Sequence, residues 1–358
     1  MIPAEGGRRQ LGNAKRDDEA LRVTETLLTV LPKVELHTHL AGNVPEWLFL
    51  EAAGKYGLEL ADPEHPYDYV EGMEPFLRLF EQVTDTFRTP EDLYRASYES
   101  QVDEFRKSNL RYREVHYSPT INPHVGYADE VAAIAEGMQK AKRDYGVDGR
   151  IIIAIYRNHG GEIAEKLVDE MLANPHPYVT GIGLEADEMV GPIHLFERAY
   201  AKAREAGYKL TAHVGERGNA AEVVYAIDEL KVDRLDHGYA LANDPAATAR
   251  VLESGLHIAS TWVSARLNTR GLGNPLRIML DAGLDASISS DDPTLTETPL
   301  NVGLLEAALE LELPDSYLIS QNYAQLEHAW IDDATRSEIR ADIDVALESI
   351  DQASQEKK

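Results

Sequence analysis

The sequence contains no cysteine. Disulfide frameworks are thereby excluded, as are metal sites built on thiolates, including the H-x-E…P-C-x-x-C zinc pattern. Basic charge is scarce. Lys and Arg number 35 against 62 Asp and Glu, for a formal net charge of −27. A field of that sign repels phosphate backbones and anionic bilayer surfaces, so neither nucleic acid nor a membrane is an expected partner. No apolar run approaches the ~18 residues of a membrane span. The opening MIPAEGGRRQLGNAKRDDEA has no apolar stretch of the kind a secretory signal carries. Cytoplasmic is therefore the default expectation. A glycine-rich phosphate turn is also missing after the first strand, where the chain reads HTHLAGNVP. That disfavours a doubly wound dinucleotide-binding sheet.

What is present is an ordinary globular composition, 43% hydrophobic and 27% charged over 358 residues. The length suffices for one large α/β barrel or two modest domains. β-rich runs predict strands within 34–40, 112–119, 149–158, 178–188, 208–216, 233–241, 255–264 and 283–293. Amphipathic stretches such as ADEVAAIAEGMQKAKRDYG and PIHLFERAYAKAREAG lie between most of them, with terminal glycines that suit helix stops. Eight strands alternating with helices predict a parallel (β/α)8 TIM barrel. The surplus length falls in a helical insertion after strand 1, roughly 45–109, and in extra C-terminal helices. No repeat or linker divides the chain. The expected organisation is an N-terminal extension (1–30), one barrel domain (31–350) and a polar tail (351–358).

In such a barrel the functional groups gather at the C-terminal ends of the strands. In VELHTHLAG, side chains two apart share a face of the strand. Glu35, His37 and His39 therefore face the barrel interior, and Leu36, Thr38 and Leu40 face the helices. His213 ends strand 5, His237 ends strand 6 and Asp291 ends strand 8. Each has a structural explanation when taken alone: a histidine can bond a loop carbonyl, and an Asp can cap a helix. Together, imidazoles and a carboxylate converging on one mouth form a sound zinc set, and such a buried cluster is costly without a metal. Glu216, three residues after His213, reads either as a helix-start carboxylate or as a proton donor beside a substrate. Asp292 reads as a cap before Pro293 or as a group facing the substrate. His116 and His159 also fall near strand ends, as candidate supporting groups. The remaining histidines read as ordinary.

PKVELHTHLAG, SPTINP, HVGE, DHGY and SSDDP occur in the order and at about the spacing of the adenosine deaminase family, which the chain resembles from about residue 31 to 345. The resemblance implies a hydrolytic 6-aminopurine deaminase with one zinc per chain. His37, His39, His213 and Asp291 would be the ligands. Glu216 would exchange a proton with purine N1, His237 would orient the attacking water, and Asp292 would hydrogen-bond N7. The expected partner is a small purine nucleoside or base.

Three places depart from the family pattern. Ala41 stands where the family has an acidic residue that helps to hold the ribose 5′-hydroxyl, which leaves room for a 5′ substituent. Ala186 stands at a glycine whose amide lies near purine N3, preceded by an unusual Glu185. STWVSAR (260–266) replaces the usual motif after strand 7. The expected substrate is adenosine or a 5′-modified adenosine such as methylthioadenosine. The alternatives are deamination of adenine or aminodeoxyfutalosine. A binuclear amidohydrolase cleaving an amide is a further alternative, with Glu185 near the place of a bridging ligand.

Overall fold

A computed structural model describes residues 24–68, 72–269, 271 and 273–356. Parallel strands form two runs. The first is β1 (Lys33–His39), β2 (Leu110–Tyr117), β3 (Asp148–Tyr156), β4 (Val179–Glu185) and β5 (Lys209–Leu210). The second is β6 (His213–Val214), β7 (Leu235–His237), β8 (Ile258–Thr261) and β9 (Ala286–Ser289). Two junctions join the runs into the (β/α)8 barrel. At one, Thr38 pairs with Asp291. The His39 amide donates to the Asp291 carbonyl at 3.1 Å, and the Asp291 amide donates to the His37 carbonyl at 3.2 Å.

At the other junction the predicted fifth strand is broken into β5 and β6. The cause is local. The Thr211 carbonyl accepts from the buried Tyr200 hydroxyl at 2.6 Å, and the Thr211 hydroxyl donates to Asp236 at 2.7 Å. Pairing nevertheless resumes at once, with the Asp236 amide donating to the Ala212 carbonyl at 2.9 Å.

The core lies between strands and helices. Leu36, Ile153, Leu184 and Ile288 project outwards from the sheet and are sealed by helix residues such as Ile134, Val168 and Leu326. The insertion after β1 holds helices Glu46–Tyr56, Met73–Thr84 and Pro90–Ser108. The last is capped at its start: Thr89 accepts from the Asp92 amide, and Pro90 opens the first turn. Helices Leu300–Glu310, Asp315–His328 and Asp333–Glu356 follow β9. Of the expected N-terminal extension, residues 1–23 lie outside the described residues. Residues 24–30 are helical and bury Leu27 and Leu28. The final helix runs on to Glu356, past the predicted start of the polar tail. Among the described residues no helix is long and apolar enough to cross a membrane.

One buried carboxyl outside the mouth makes stability depend on pH. Glu130 accepts from the Tyr117 hydroxyl at 2.8 Å, and burial pushes its pKa from 4.5 to about 8. The folded chain keeps this proton up to about pH 8, while the unfolded chain releases it from about pH 4.5. The group's contribution to stability is therefore complete below pH 4.5 and is lost as pH rises towards 8, with a slope of at most about 1.4 kcal/mol per unit. Denaturant unfolding at pH 5 and pH 8 should show Glu130→Gln losing less stability over that interval than the parent.

Candidate active site and metal centre

His37 and His39 lie on β1, His213 begins β6, and Asp291 follows β9; all four are buried. Their donor atoms converge. Nε2 of His213 lies 3.1 Å from Nε2 of His37 and 3.2 Å from Nε2 of His39. Oδ1 of Asp291 lies 3.3 Å from both of the latter. A tetrahedron with ligand distances of ~2.0 Å has edges of ~3.3 Å, so these spacings fit a divalent metal ion.

The hydrogen bonds behind the rings point to the same chemistry. His37 Nδ1 donates to the Ala259 carbonyl at 2.8 Å and His39 Nδ1 donates to Glu185 Oε2 at 3.0 Å, while His213 Nδ1 faces Asp236 Oδ2 at 3.5 Å. With its proton on Nδ1, each ring turns an Nε2 lone pair into the cluster. The carboxylate electrostatics agree. Burial alone would raise Asp291, Glu185 and Asp236, but the facing imidazoles hold all three below the usual carboxylate range. The same anions favour positive charge on the rings. Burial would lower His39, yet Asp292, Asp291 and Glu185 raise it well above its ordinary value. A metal ion and such protons compete for the same lone pairs.

The cluster forms the floor of a cavity of about 490 Å³, within the usual range for small-molecule sites. Glu216 and His237 share its wall, with His237 Nε2 3.9 Å from Glu216 Oε2. Burial pushes Glu216 up to about 8, and the charges of Asp291 and Glu188 add to the rise. Burial also holds the His237 imidazole well below its usual range, hence neutral. Asp292 is raised chiefly by burial and then by the adjacent Asp291 charge. Its Oδ1 is buried with no hydrogen-bond partner among the described residues.

Three residues at the mouth have positive φ without being glycine: Ala186 (75°), His237 (67°) and Asp291 (68°). That region is sterically unfavourable for a residue with a Cβ, and it recurs at functional sites. Here it re-aims side chains. Alternation along a strand would send Asp236 and His237 to opposite faces, as it would Asp291 and Asp292. With positive φ at His237 and Asp291, His237 lines the cavity while Asp236 faces the far nitrogen of His213, and Asp291 and Asp292 both line the cavity. Ser260 Oγ donates to the His237 carbonyl at 2.8 Å, and Thr38 Oγ1 donates to the Asp291 carbonyl at 2.8 Å. Asp291 Oδ2 accepts from Thr261 and Ser264 at 3.1 and 3.0 Å, so the unusual STWVSAR segment holds the carboxylate.

Two predicted positions separate. Ala186 lines the cavity. Ala41 does not line it: it is buried in the apolar core, within the tight turn Ala41–Asn43. The next residue, Gly42, makes the approach to the site instead, and a Cβ there would overlap the Asp292 side chain. The space inferred from Ala41 therefore does not open onto the substrate. His116 packs 5.1 Å from the His39 and His213 rings, whereas His159 is exposed and bonds Thr120. His257 and His328, read as ordinary, stack 4.5 Å apart and both lie 3.1 Å from Asp285, before the starts of β8 and β9.

Sequence reasoning missed Asp236 and Glu188. Asp236 precedes His237 on β7, so alternation from an inward His237 would turn it away from the site. The Glu188 carboxylate accepts from the amides of Gly215, Arg217 and Gly218, each at 2.6 Å, and so fixes the loop that carries Glu216. It closes LEADE (184–188), which follows the family's L-A-G-D-E, a signal that was available.

The sequence model described as adenosine deaminase matches residues 32–346. The chain belongs to the adenosine deaminase family. It is 30% identical over 317 residues to a protein named adenine deaminase from Agrobacterium fabrum, covering 87% of this chain and 97% of that one. Another so named, from Sinorhizobium fredii, is 30% identical over 88% of this chain and 99% of its own length. Among solved structures, an amidohydrolase from Burkholderia ambifaria with bound zinc superposes with a TM-score of 0.83 at 32% identity, covering 92% and 95% of the two chains. An adenine deaminase from Arthrobacter aurescens gives 0.81 at 24% identity, covering 89% and 99%, and shares the fold. This deaminase is thus a hydrolase acting on C–N bonds of cyclic amidines, with a purine as its substrate.

Two outcomes follow for this deaminase. Ala186→Gly relieves the positive φ and should raise unfolding stability by about 1 kcal/mol, read from denaturant curves. Chelator-stripped protein, given a divalent ion at a hundredfold excess over its dissociation constant, should gain about 2.7 kcal/mol, seen as a higher melting temperature. A melting temperature indifferent to chelation and readdition would remove the metal centre.

Proposed function

We propose that the enzyme hydrolyses the 6-amino group of a neutral purine nucleoside, adenosine or a 5′-modified adenosine, using one zinc ion per chain held by His37, His39, His213 and Asp291. One observation carries the reading. Glu216, which keeps its proton to about pH 8, lines the same cavity as the four-donor cluster and faces the neutral His237 at 3.9 Å. A purine deaminase needs that combination, and a binuclear amide hydrolase does not.

A divalent cation in this cluster supplies Lewis acidity and makes water a nucleophile at neutral pH. Glu216 donates its proton to ring N1, which keeps negative charge from building on the ring as C6 is attacked. His237 orients the incoming water, and protonated Asp292 donates to N7. The Ala186 amide lies along the edge that carries N3. The C6–O bond forms; of the water's two protons one reaches the amino group, so that the C6–N bond breaks and ammonia leaves, and the other restores the proton that Glu216 gave to N1. Zinc is supported by the donor set and by the zinc-bound structure from Burkholderia ambifaria. A single ion is supported by Glu185, whose carboxylate is turned to His39 Nδ1, the side of the ring away from the cluster.

A nucleoside is favoured by the cavity volume, which exceeds what a purine ring alone fills, and by a roof of Met73, Phe76, Leu77 and Phe80. Among the described lining residues the one guanidinium is Arg217, already 3.3 Å from Asp187, so the wall offers little to a 5′-phosphate. Free adenine is the second reading. It is favoured by the names of the relatives.

The test is loss of the 6-aminopurine ultraviolet band together with ammonia release. The panel is adenosine, 2′-deoxyadenosine, methylthioadenosine, aminodeoxyfutalosine and adenine. Turnover of a nucleoside is expected, with Glu216→Gln lowering kcat by about 10²–10⁴-fold. Because Glu216 acts in its protonated form, kcat/KM should fall as pH rises through about 8. Turnover of adenine alone would favour the second reading. An unimpaired Glu216→Gln enzyme would overturn the proton-donor role.

A further inference from the structure

We infer that Glu185 is a positioning residue for the metal centre: through His39 it fixes one ligand's tautomer and orientation, and so sets the affinity of the site for its ion. The inference rests on the metal site proposed above and concerns a residue outside the ligand set. Glu185 ends β4 and is buried, with its two oxygens divided between two partners. Oε2 accepts from His39 Nδ1 at 3.0 Å, and Oε1 accepts from the Ser118 hydroxyl at the end of β2. A chain of contacts therefore runs from Ser118 through Glu185 to His39, linking the ends of β2, β4 and β1.

The three imidazoles are supported unequally. His37 leans on a neutral carbonyl, that of Ala259. His213 faces Asp236, but at 3.5 Å, and that carboxylate is also approached by His37 and His116 at 3.8 Å and by Arg234 at 3.9 Å. Of the three, His39 has the shortest contact between its far nitrogen and a carboxylate, 3.0 Å against 3.5 Å for His213. An anion there makes the ring a stronger donor and keeps the proton on Nδ1. Without it, tautomerisation would place N–H on Nε2, where it blocks the ion. The Phe80 ring, edge-on to His39 at 5.8 Å, shapes the ring's surroundings but cannot replace an acceptor. The two other roles open to a carboxylate here fit less well. A bridging ligand would have to aim an oxygen at the Nε2 cluster, and a substrate acceptor, although Glu185 also lines the cavity, would have to share oxygens already bonded to His39 and Ser118. Both oxygens of Glu185 are engaged.

The test measures metal binding directly. Chelator-stripped wild type, Glu185→Gln, Glu185→Ala and Ser118→Ala are titrated with zinc against a chromophoric chelator, with the melting temperature of each metal-free protein as the folding control. Wild type should bind one ion per chain. Both Glu185 variants should still bind one, with a dissociation constant weaker by about 10–100-fold. Ser118→Ala, which leaves the carboxylate in place but loosens it, should show a smaller loss in the same direction; it carries the test if the Glu185 variants fail to fold. Affinities within twofold of wild type in all folded variants would overturn the inference. So would two ions in wild type falling to one in Glu185→Gln, since Glu185 would then be a ligand itself. Wild type binding no ion would overturn the metal site and the inference together, which separates that failure from the other two.

Discussion

The structure turns on the backbone pairing of Asp291 with β1. Its amide and its carbonyl both bond to that strand, at His37 and His39. The same residue sends its carboxylate oxygen to 3.3 Å from those two side chains. Closing the barrel and assembling the cluster are therefore one event. A left-handed backbone at Asp291 is tolerated because several bonds hold it: two from the backbone ladder, one from Thr38 and two on the carboxylate from Thr261 and Ser264. The barrel supplies the rigidity, and the strained residue converts it into a fixed ligand direction.

Around that point, one small volume keeps carboxyl groups in opposite states. Asp291 and Glu185 face imidazoles and stay ionised. Glu216 and Asp292 have burial and like charge against them and hold their protons. Pairs of acids pushed apart by their surroundings assign donor and acceptor roles without any difference in side-chain chemistry. Residue type alone could not have told these four apart.

That limit describes what the sequence reveals and what it hides. The eight strands were legible because buried β-rich runs alternate with amphipathic stretches, and the metal cluster because H-x-H and the later motifs fall at strand ends. The break in the fifth strand was not legible, because it depends on Tyr200 reaching the Thr211 carbonyl from a neighbouring helix. Asp236 was hidden by strict alternation, which the positive φ of His237 defeats. Ala41 misled for a related reason. A position in a motif says which residue is present but not whether its side chain reaches the cavity, and the tight turn presents Gly42 instead. Glu188 acts on a loop distant in sequence, through backbone amides that carry no residue signature.

The insertion after β1 gives the fold a separable roof. Met73, Phe76, Leu77 and Phe80 come from one helix, while the reacting groups come from strand ends. A single bond from the Tyr156 hydroxyl to Glu81, 2.7 Å long, fastens this helix to the end of β3. Selectivity and reactivity are thus written in different parts of the chain. A short contiguous segment can drift, shortening, lengthening or changing its apolar side chains, while the barrel and its donors stay as they are. Such an arrangement lets one ancestral chemistry spread across many amines by remodelling the ceiling while leaving the floor untouched.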